Sequence, residues 1–264
     1  MDRYKITFAR LQKEKRIGFC PFAVLGDPTP QQCLARIKKY LDVKPDFLEL
    51  GIPFSDPIAD GPIIQAADER ALKNGMTPKK AIALVRKIRS VMVRQAHHDV
   101  PIGILTYSNI VFQYGIEKFY RDLKNAGADS ILIADIPLEE VALFAQAAKK
   151  YKLHQIFLVS EYTDVKRLKQ IEKFGSGFLY VVSVLGVTGI RQKLPPQLHK
   201  LIAHLKKHTK LPLVVGFGIS QPQHLKQLKT AGANAAIVGS ALVKTPTKNL
   251  SKILKRLSCA APKP

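Results

Sequence analysis

A (β/α)8 barrel, the TIM barrel of the α/β class, is the fold this sequence predicts, as a single domain over residues 1–264 with an N-terminal amphipathic helix. Three observations carry that expectation. Short β-rich runs alternate with longer helical patterns from end to end. The runs are continuously apolar rather than alternating, as in a parallel sheet covered on its outside by helices. Eight strand–helix repeats over about 250 residues match the count and size of this barrel.

The elements follow in order. MDRYKITFARLQKEK has apolar residues Tyr4, Phe8 and Leu11 at i, i+4 and i+7, the spacing of an amphipathic helix lying on a core. Strands are expected at 17–24, 47–50, 101–105, 130–134, 154–159, 177–182, 211–216 and 235–239. Helices are expected near 30–41, 62–73, 77–94, 116–125, 138–150, 164–173, 195–207, 221–230 and 241–257. The segments NAGAD (125–129), TAGAN (230–234) and GSG (175–177) return helices to strands, with glycine at the usual position past a helix C-terminus. A doubly wound open sheet is the competing architecture, but it wants a glycine-rich dinucleotide turn after the first strand, and AVLGDPTP is not one.

Composition narrows the function classes. No apolar run reaches the ~18–20 residues of a membrane span, and the N-terminus has no apolar signal-peptide core, so a cytoplasmic location is expected. Cys20, Cys33 and Cys259 are far apart and in no metal spacing. Lysine and arginine number 42 against 20 acidic residues, a formal net charge of +22. Such charge attracts polyanions and steers small anions. The basic residues fall mostly on outer helices, interleaved with apolar ones, which reads as a solvated surface; no zinc-finger, RNP-type or basic-region pattern supports nucleic-acid binding.

In this fold chemistry sits after the strands, at their C-terminal ends. There stand Asp27 after strand 1, Glu49 within strand 2 with Asp56 and Asp60 after it, and Asp135 after strand 4. No histidine lies at a strand end, so a His/Cys metal site has little support. No strand ends in lysine, so an imine-forming nucleophile is lacking. Carboxylates remain. Glu49 interrupts the apolar run FLEL, where a carboxylate costs several kcal/mol unless paired, neutralised or used. A structural carboxylate is the plain alternative for Glu49, and turn capping is the alternative for Asp56 and Asp60, which stand beside Pro and Gly.

The loops after strands 7 and 8, GFGIS (216–220) and VGSA (238–241), are where barrels commonly hold phosphate, with Ser240 placed to cap a helix start and GVTG (186–189) as a third contributor. Residue chemistry therefore reaches a barrel that handles a small phosphorylated substrate through carboxylate acid–base steps. Isomerisation, elimination and retro-aldol cleavage all stay open.

LELGIPFSDPIADGPIIQ closely resembles the signature of the tryptophan synthase α subunit family. PFAVLGDP (21–28), PIGILTYSNIVFQYGIEKFY (101–120), ADIPLEE (134–140), GVTG, GFGIS and VGSALVK (238–244) fit the same family in order along essentially the whole chain. The resemblance implies a lyase that splits indole-3-glycerol phosphate into indole and glyceraldehyde 3-phosphate without metal or organic cofactor. It places the acid/base carboxylate on Glu49 and the second catalytic carboxylate, on a mobile loop, on Asp60. It implies an indole pocket at Phe22, Leu105 and Leu132, with Tyr180 beside the catalytic glutamate. Phosphate contacts fall on Gly189, Phe217, Gly218, Gly239 and Ser240, and Thr188 belongs to a closing loop over 184–194.

The family works with a separate β subunit, a pyridoxal-phosphate (PLP) enzyme, as an α2β2 tetramer. PLP is therefore expected only in the partner. Loop 53–60, with Pro53 and Asp56, and the segment around Asn109 resemble the β-facing surface. Two other uses of the same barrel are conceivable: a non-catalytic activator of a β subunit, against which intact Glu49 and Asp60 argue, and a basic polyanion-binding protein.

Overall fold

Eight parallel strands close into a barrel in sequence order in a computed structural model that describes residues 1–182, 194–216, 218–259 and 261. They are β1 (Gly18–Val24), β2 (Leu48–Gly51), β3 (Ile102–Thr106), β4 (Ser130–Ile133), β5 (His154–Val159), β6 (Leu179–Val181), β7 (Leu213–Val215) and β8 (Ala235–Val238). β1 pairs with both β2 and β8, so no sheet edge is left open. Nearly every strand residue is buried, which is why these runs read as continuous Val, Ile and Leu rather than an alternation.

Around them lie α1 (Arg3–Lys13), α2 (Pro30–Asp42), α3 (Pro62–Lys73), α4 (Pro78–Arg94), α5 (Ser108–Tyr114) and α6 (Ile116–Ala126). The outer layer continues with α7 (Ala142–Tyr151), α8 (Val165–Phe174), α9 (Pro196–His208), α10 (Pro222–Ala231), α11 (Ser240–Val243) and α12 (Leu250–Ser258). Their starts are written locally. Thr29 and Thr77 cap α2 and α4 by accepting the N–H of Gln32 and Lys80, each followed by proline at the first helical position. There the missing N–H costs nothing, because it is unpaired in any helix. Gly127 and Gly232, both at φ 94°, end α6 and α10 as NAGAD and TAGAN predict.

Helix α1 plugs the N-terminal mouth of the barrel. Tyr4 and Leu11 are buried, and Tyr4 stacks with Phe8 and packs against Phe47 and Phe178, which enter β2 and β6. Its hydroxyl is 2.8 Å from Ser130 Oγ on β4. Ion pairs fasten the same end: Arg89 to Asp129 at 2.7 Å and Arg16 to Asp46 at 2.6 Å, all four residues buried. Removing one partner of such a pair costs about 3–5 kcal/mol because the other charge is stranded. This end is built for stability.

Three elements differ from the sequence expectation. The helix expected over 241–257 is α11, a 3-10 turn at Thr247–Asn249, and α12, because Pro246 cannot continue a helix. The helix expected from 138 opens as a 3-10 turn at Leu138–Glu140 before α7. α5 is additional: Asp135 accepts the Ser108 N–H at 2.7 Å and the Ser108 hydroxyl at 2.9 Å, so a residue 27 positions away starts the helix.

Candidate active site

Phe22 on β1 stands in register with Glu49 on β2, which places both at the same height in the barrel wall. Above them the strand ends open into a cavity with about 1110 Å³ of empty space, including its open mouth. Phe22, Leu105, Leu132, Ile64, Leu158 and Ile237 make it apolar, and Glu49, Asp60 and Tyr180 also line it. Gly218, Gly239 and Ser240 line it as well, with Gly216, Ser220 and Lys244.

The rim carboxylates differ in their partners. Asp27 is held by Arg70 through two contacts at 2.8 and 3.1 Å. Asp135 is committed to the start of α5. Asp56 is exposed and accepts a hydrogen bond from its neighbour Ser55. Glu49 is different: it is 5% exposed, and its Oε2 is buried without a hydrogen-bond partner among the described residues. Burial pushes the Glu49 carboxyl up to about 8, and the negative charge of Asp60 adds to the shift. Near neutral pH Glu49 is therefore mainly the uncharged acid, a proton donor in an apolar wall.

Asp60 ends the turn before α3; its N–H donates to Pro57 O at 3.0 Å, and Gln65 Nε2 donates to its carbonyl at 2.8 Å. The carboxylate accepts the Tyr107 hydroxyl at 2.5 Å. Burial raises the Asp60 pKa, and the Tyr107 bond works against that rise. Tyr107 also stacks on Phe54, with ring centres 5.0 Å apart, which ties loop 53–60 to the end of β3.

Tyr180 on β6 lies close enough to Glu49 to feel its charge, and burial pushes its phenol well up. It fits because position 216 is glycine; a Cβ there would overlap the Tyr180 ring. Gly218 has φ +74°, a conformation that glycine adopts freely.

Of the residues expected at the site, Glu49, Asp60, Phe22, Leu105, Leu132, Tyr180, Gly218, Gly239 and Ser240 come together around one cavity. Thr188, Gly189 and Phe217 lie outside the described residues, as does nearly all of 184–194. One local detail is corrected: Ser240 is the first residue of α11, not its cap, and the capping position belongs to Gly239 with no side-chain bond. Sequence reading missed Tyr107, Ile64, Lys244 and Asp68. Asp68 is 4% exposed on α3, and burial together with Asp60 and Asp27 pushes its carboxyl up to about 8. Its signal was present, since it shares the buried stripe of Ile64, Ala67 and Ala71. Among the described residues no group of His, Cys, Asp or Glu has the arrangement of a metal site.

Fold and rim together define a barrel enzyme of the acid–base kind, with carboxyl groups and glycine-rich loops around one apolar cavity. Known proteins narrow the class. The family model described as tryptophan synthase alpha chain matches residues 8–261. A tryptophan synthase alpha chain from Photobacterium profundum is 45% identical over 251 residues, covering 95% of this chain and 91% of the relative. One from Methanoregula boonei is 44% identical over 250 residues, covering 95% and 91%. The solved tryptophan synthase subunit alpha of Legionella pneumophila superposes with a TM-score of 0.87 at 31% identity, covering 99% and 98%. A chain from the tryptophan synthase α2β2 complex of Pyrococcus furiosus gives 0.83 at 35% identity, covering 92% and 98%. The chain belongs to the tryptophan synthase alpha chain family.

Proposed function

We propose that this chain cleaves indole-3-glycerol phosphate to indole and glyceraldehyde 3-phosphate, as the α subunit of tryptophan synthase in tryptophan biosynthesis. The observation that carries the reading is the Glu49 carboxyl, buried in the cavity wall with one oxygen unpartnered. Family membership and the α2β2 assembly of a relative at 35% identity support a β subunit as partner. Ile58, 81% exposed on loop 53–60, and Phe112, 56% exposed on α5 just after Asn109, are apolar side chains such a partner would cover.

Retro-aldol cleavage must turn the indole ring into an electron sink. In its uncharged form Glu49 gives a proton to indole C3. The C–C bond to the glycerol chain then breaks, and its electron pair restores the aromatic ring. The adjacent hydroxyl becomes the aldehyde and returns its proton to the Glu49 carboxylate, so the residue ends as it began. Asp60, kept in place by Tyr107, accepts the ring N–H and stabilises positive charge on the protonated ring. Phe22, Leu105 and Leu132 hold the ring, and Tyr180 packs beside Glu49. Gly218, Gly239 and Ser240, with Gly189 and Phe217, receive the phosphate, and Thr188 belongs to the loop closing over it.

The step uses no metal or organic cofactor of this chain, and PLP belongs to the β subunit. Residues 1–264 act as one barrel domain, and the reaction takes place in the cytoplasm. Among the described residues no helix is long and apolar enough to cross a membrane.

The test is indole release by the purified chain, alone and with a tryptophan synthase β subunit, for wild type and Glu49→Gln. Slow turnover alone, a marked rise with β and at least a ~10³-fold loss in the variant are expected. No indole from wild type under either condition overturns the assignment.

A further inference from the structure

The cavity holds charges of both signs. Glu49 and Asp60 line it, and Lys244 is the one lysine or arginine lining it among the described residues. Lys244 follows α11, and its N–H donates to Ser240 O at 3.1 Å. Positions 240 and 244 are thus helical neighbours one turn apart, and a long side chain at 244 leans back toward 240. The segment beneath is pinned. The buried Arg36 guanidinium, from α2, donates to the carbonyls of Leu242, Val243 and Thr245 at 2.7, 3.2 and 3.0 Å. The Lys244 backbone is held on both sides, while its exposed side chain makes no ion pair or hydrogen bond among the described residues. Nor is an acidic residue near it in sequence, because none of the chain's 20 Asp and Glu lies beyond Glu172.

We infer that Lys244 is the counter-charge of the substrate phosphate, a specificity-determining cation that favours phosphorylated over phosphate-free ligands. This rests on the reading of the substrate as a phosphate ester. A dianion entering a cavity that already holds the Asp60 carboxylate meets repulsion, which backbone N–H groups offset with partial charges only. A full positive charge lining the same cavity lowers that cost and favours the phosphorylated end of a ligand. The phosphate lies toward β8 and the ring toward β2. An exposed lysine that merely points to solvent would leave phosphate affinity unchanged, so the two roles are separable by measurement.

The experiment compares wild type, Lys244→Met and Lys244→Arg, each with β subunit, after matching Tm values show that all fold. In Lys244→Met the KM for indole-3-glycerol phosphate, and in the reverse direction for glyceraldehyde 3-phosphate, should rise about tenfold, as for loss of one charge-assisted contact. The KM for indole should stay within twofold, and Lys244→Arg should recover most of the loss. The salt dependence of kcat/KM should flatten in the Met variant. Binding of glycerol 3-phosphate to the chain, followed by calorimetry, reads the same charge without turnover. Weaker binding by Lys244→Met supports the inference even if wild type releases no indole. Equal binding by wild type and Lys244→Met, or equal KM values for the phosphorylated substrates, overturns it while leaving the lyase assignment standing.

Discussion

The half of the rim built from β1 to β4 and the half built from β6 to β8 solve opposite electrostatic problems. The first carries Asp27, Glu49, Asp56, Asp60 and Asp135; the second follows Glu172, after which the sequence contains no acidic residue at all. On the carboxylate side burial is the active ingredient, because desolvation changes what a titratable group can do. The other half offers glycine-rich loops and the lining lysine Lys244, groups of the opposite polarity. A single cavity can therefore hold a proton donor and an anion site without either neutralising the other.

Four measurements press on this contrast. The largest effect is expected for Asp60→Asn, with a kcat loss of about 10²-fold for indole release and little change in glycerol 3-phosphate binding. Parallel loss of both would mean that the two halves are not separate. Next comes Tyr107→Phe. The Tyr107 hydroxyl lowers the Asp60 pKa, so its removal should move the acidic limb of kcat/KM to higher pH. The alkaline limb, set by Glu49 near pH 8, should stay where it is. Loss confined to the acidic side with near-normal rates at pH 7.5 is the expected pattern, and an unmoved acidic limb would remove Tyr107 from the site.

Stability offers a third handle. The Glu49 pKa is raised in the folded chain, from 4.5 to about 8. Its contribution is therefore fully present below the unfolded pKa and is lost as pH rises between those values, because the ionised form must stay buried. Glu49→Gln should flatten the fall of Tm between pH 5 and 9, by roughly 2–4 °C for each kcal/mol relieved. The smallest effect is expected for Asp135→Ala, which removes the acceptor of the first helical N–H of α5 and should cost about 1 kcal/mol of stability in denaturant unfolding. Indole release by that variant should stay within severalfold of wild type. A collapse of activity there would show that a partnered rim carboxylate also takes part.

The sequence told these halves apart unequally. Glu49 was conspicuous because a carboxylate inside FLEL is costly, and the loops after strands 7 and 8 were readable because glycine and serine cluster there. What stayed hidden depends on contacts between distant residues. Tyr107 meets Asp60 across 47 positions, and Asp135 starts α5 from 27 positions away, so no local window contains either pair. α5 spans only 7 residues, fewer than two periods of apolar spacing. Asp68 was hidden differently: it occupies an apolar-stripe position, and a polar residue there looks like a gap in the pattern.

Position 216 reaches the carboxylate half through Tyr180, whose ring lies near Glu49. Tyr180 occupies the space where any larger residue at 216 would put its first side-chain carbon. Neither residue can drift alone: a side chain at 216 evicts the phenol ring, and a ring-free position 180 leaves a hole beside Glu49. For anyone transplanting the anion loop into another barrel, the transferable module is therefore the loop together with a tyrosine from the strand next door.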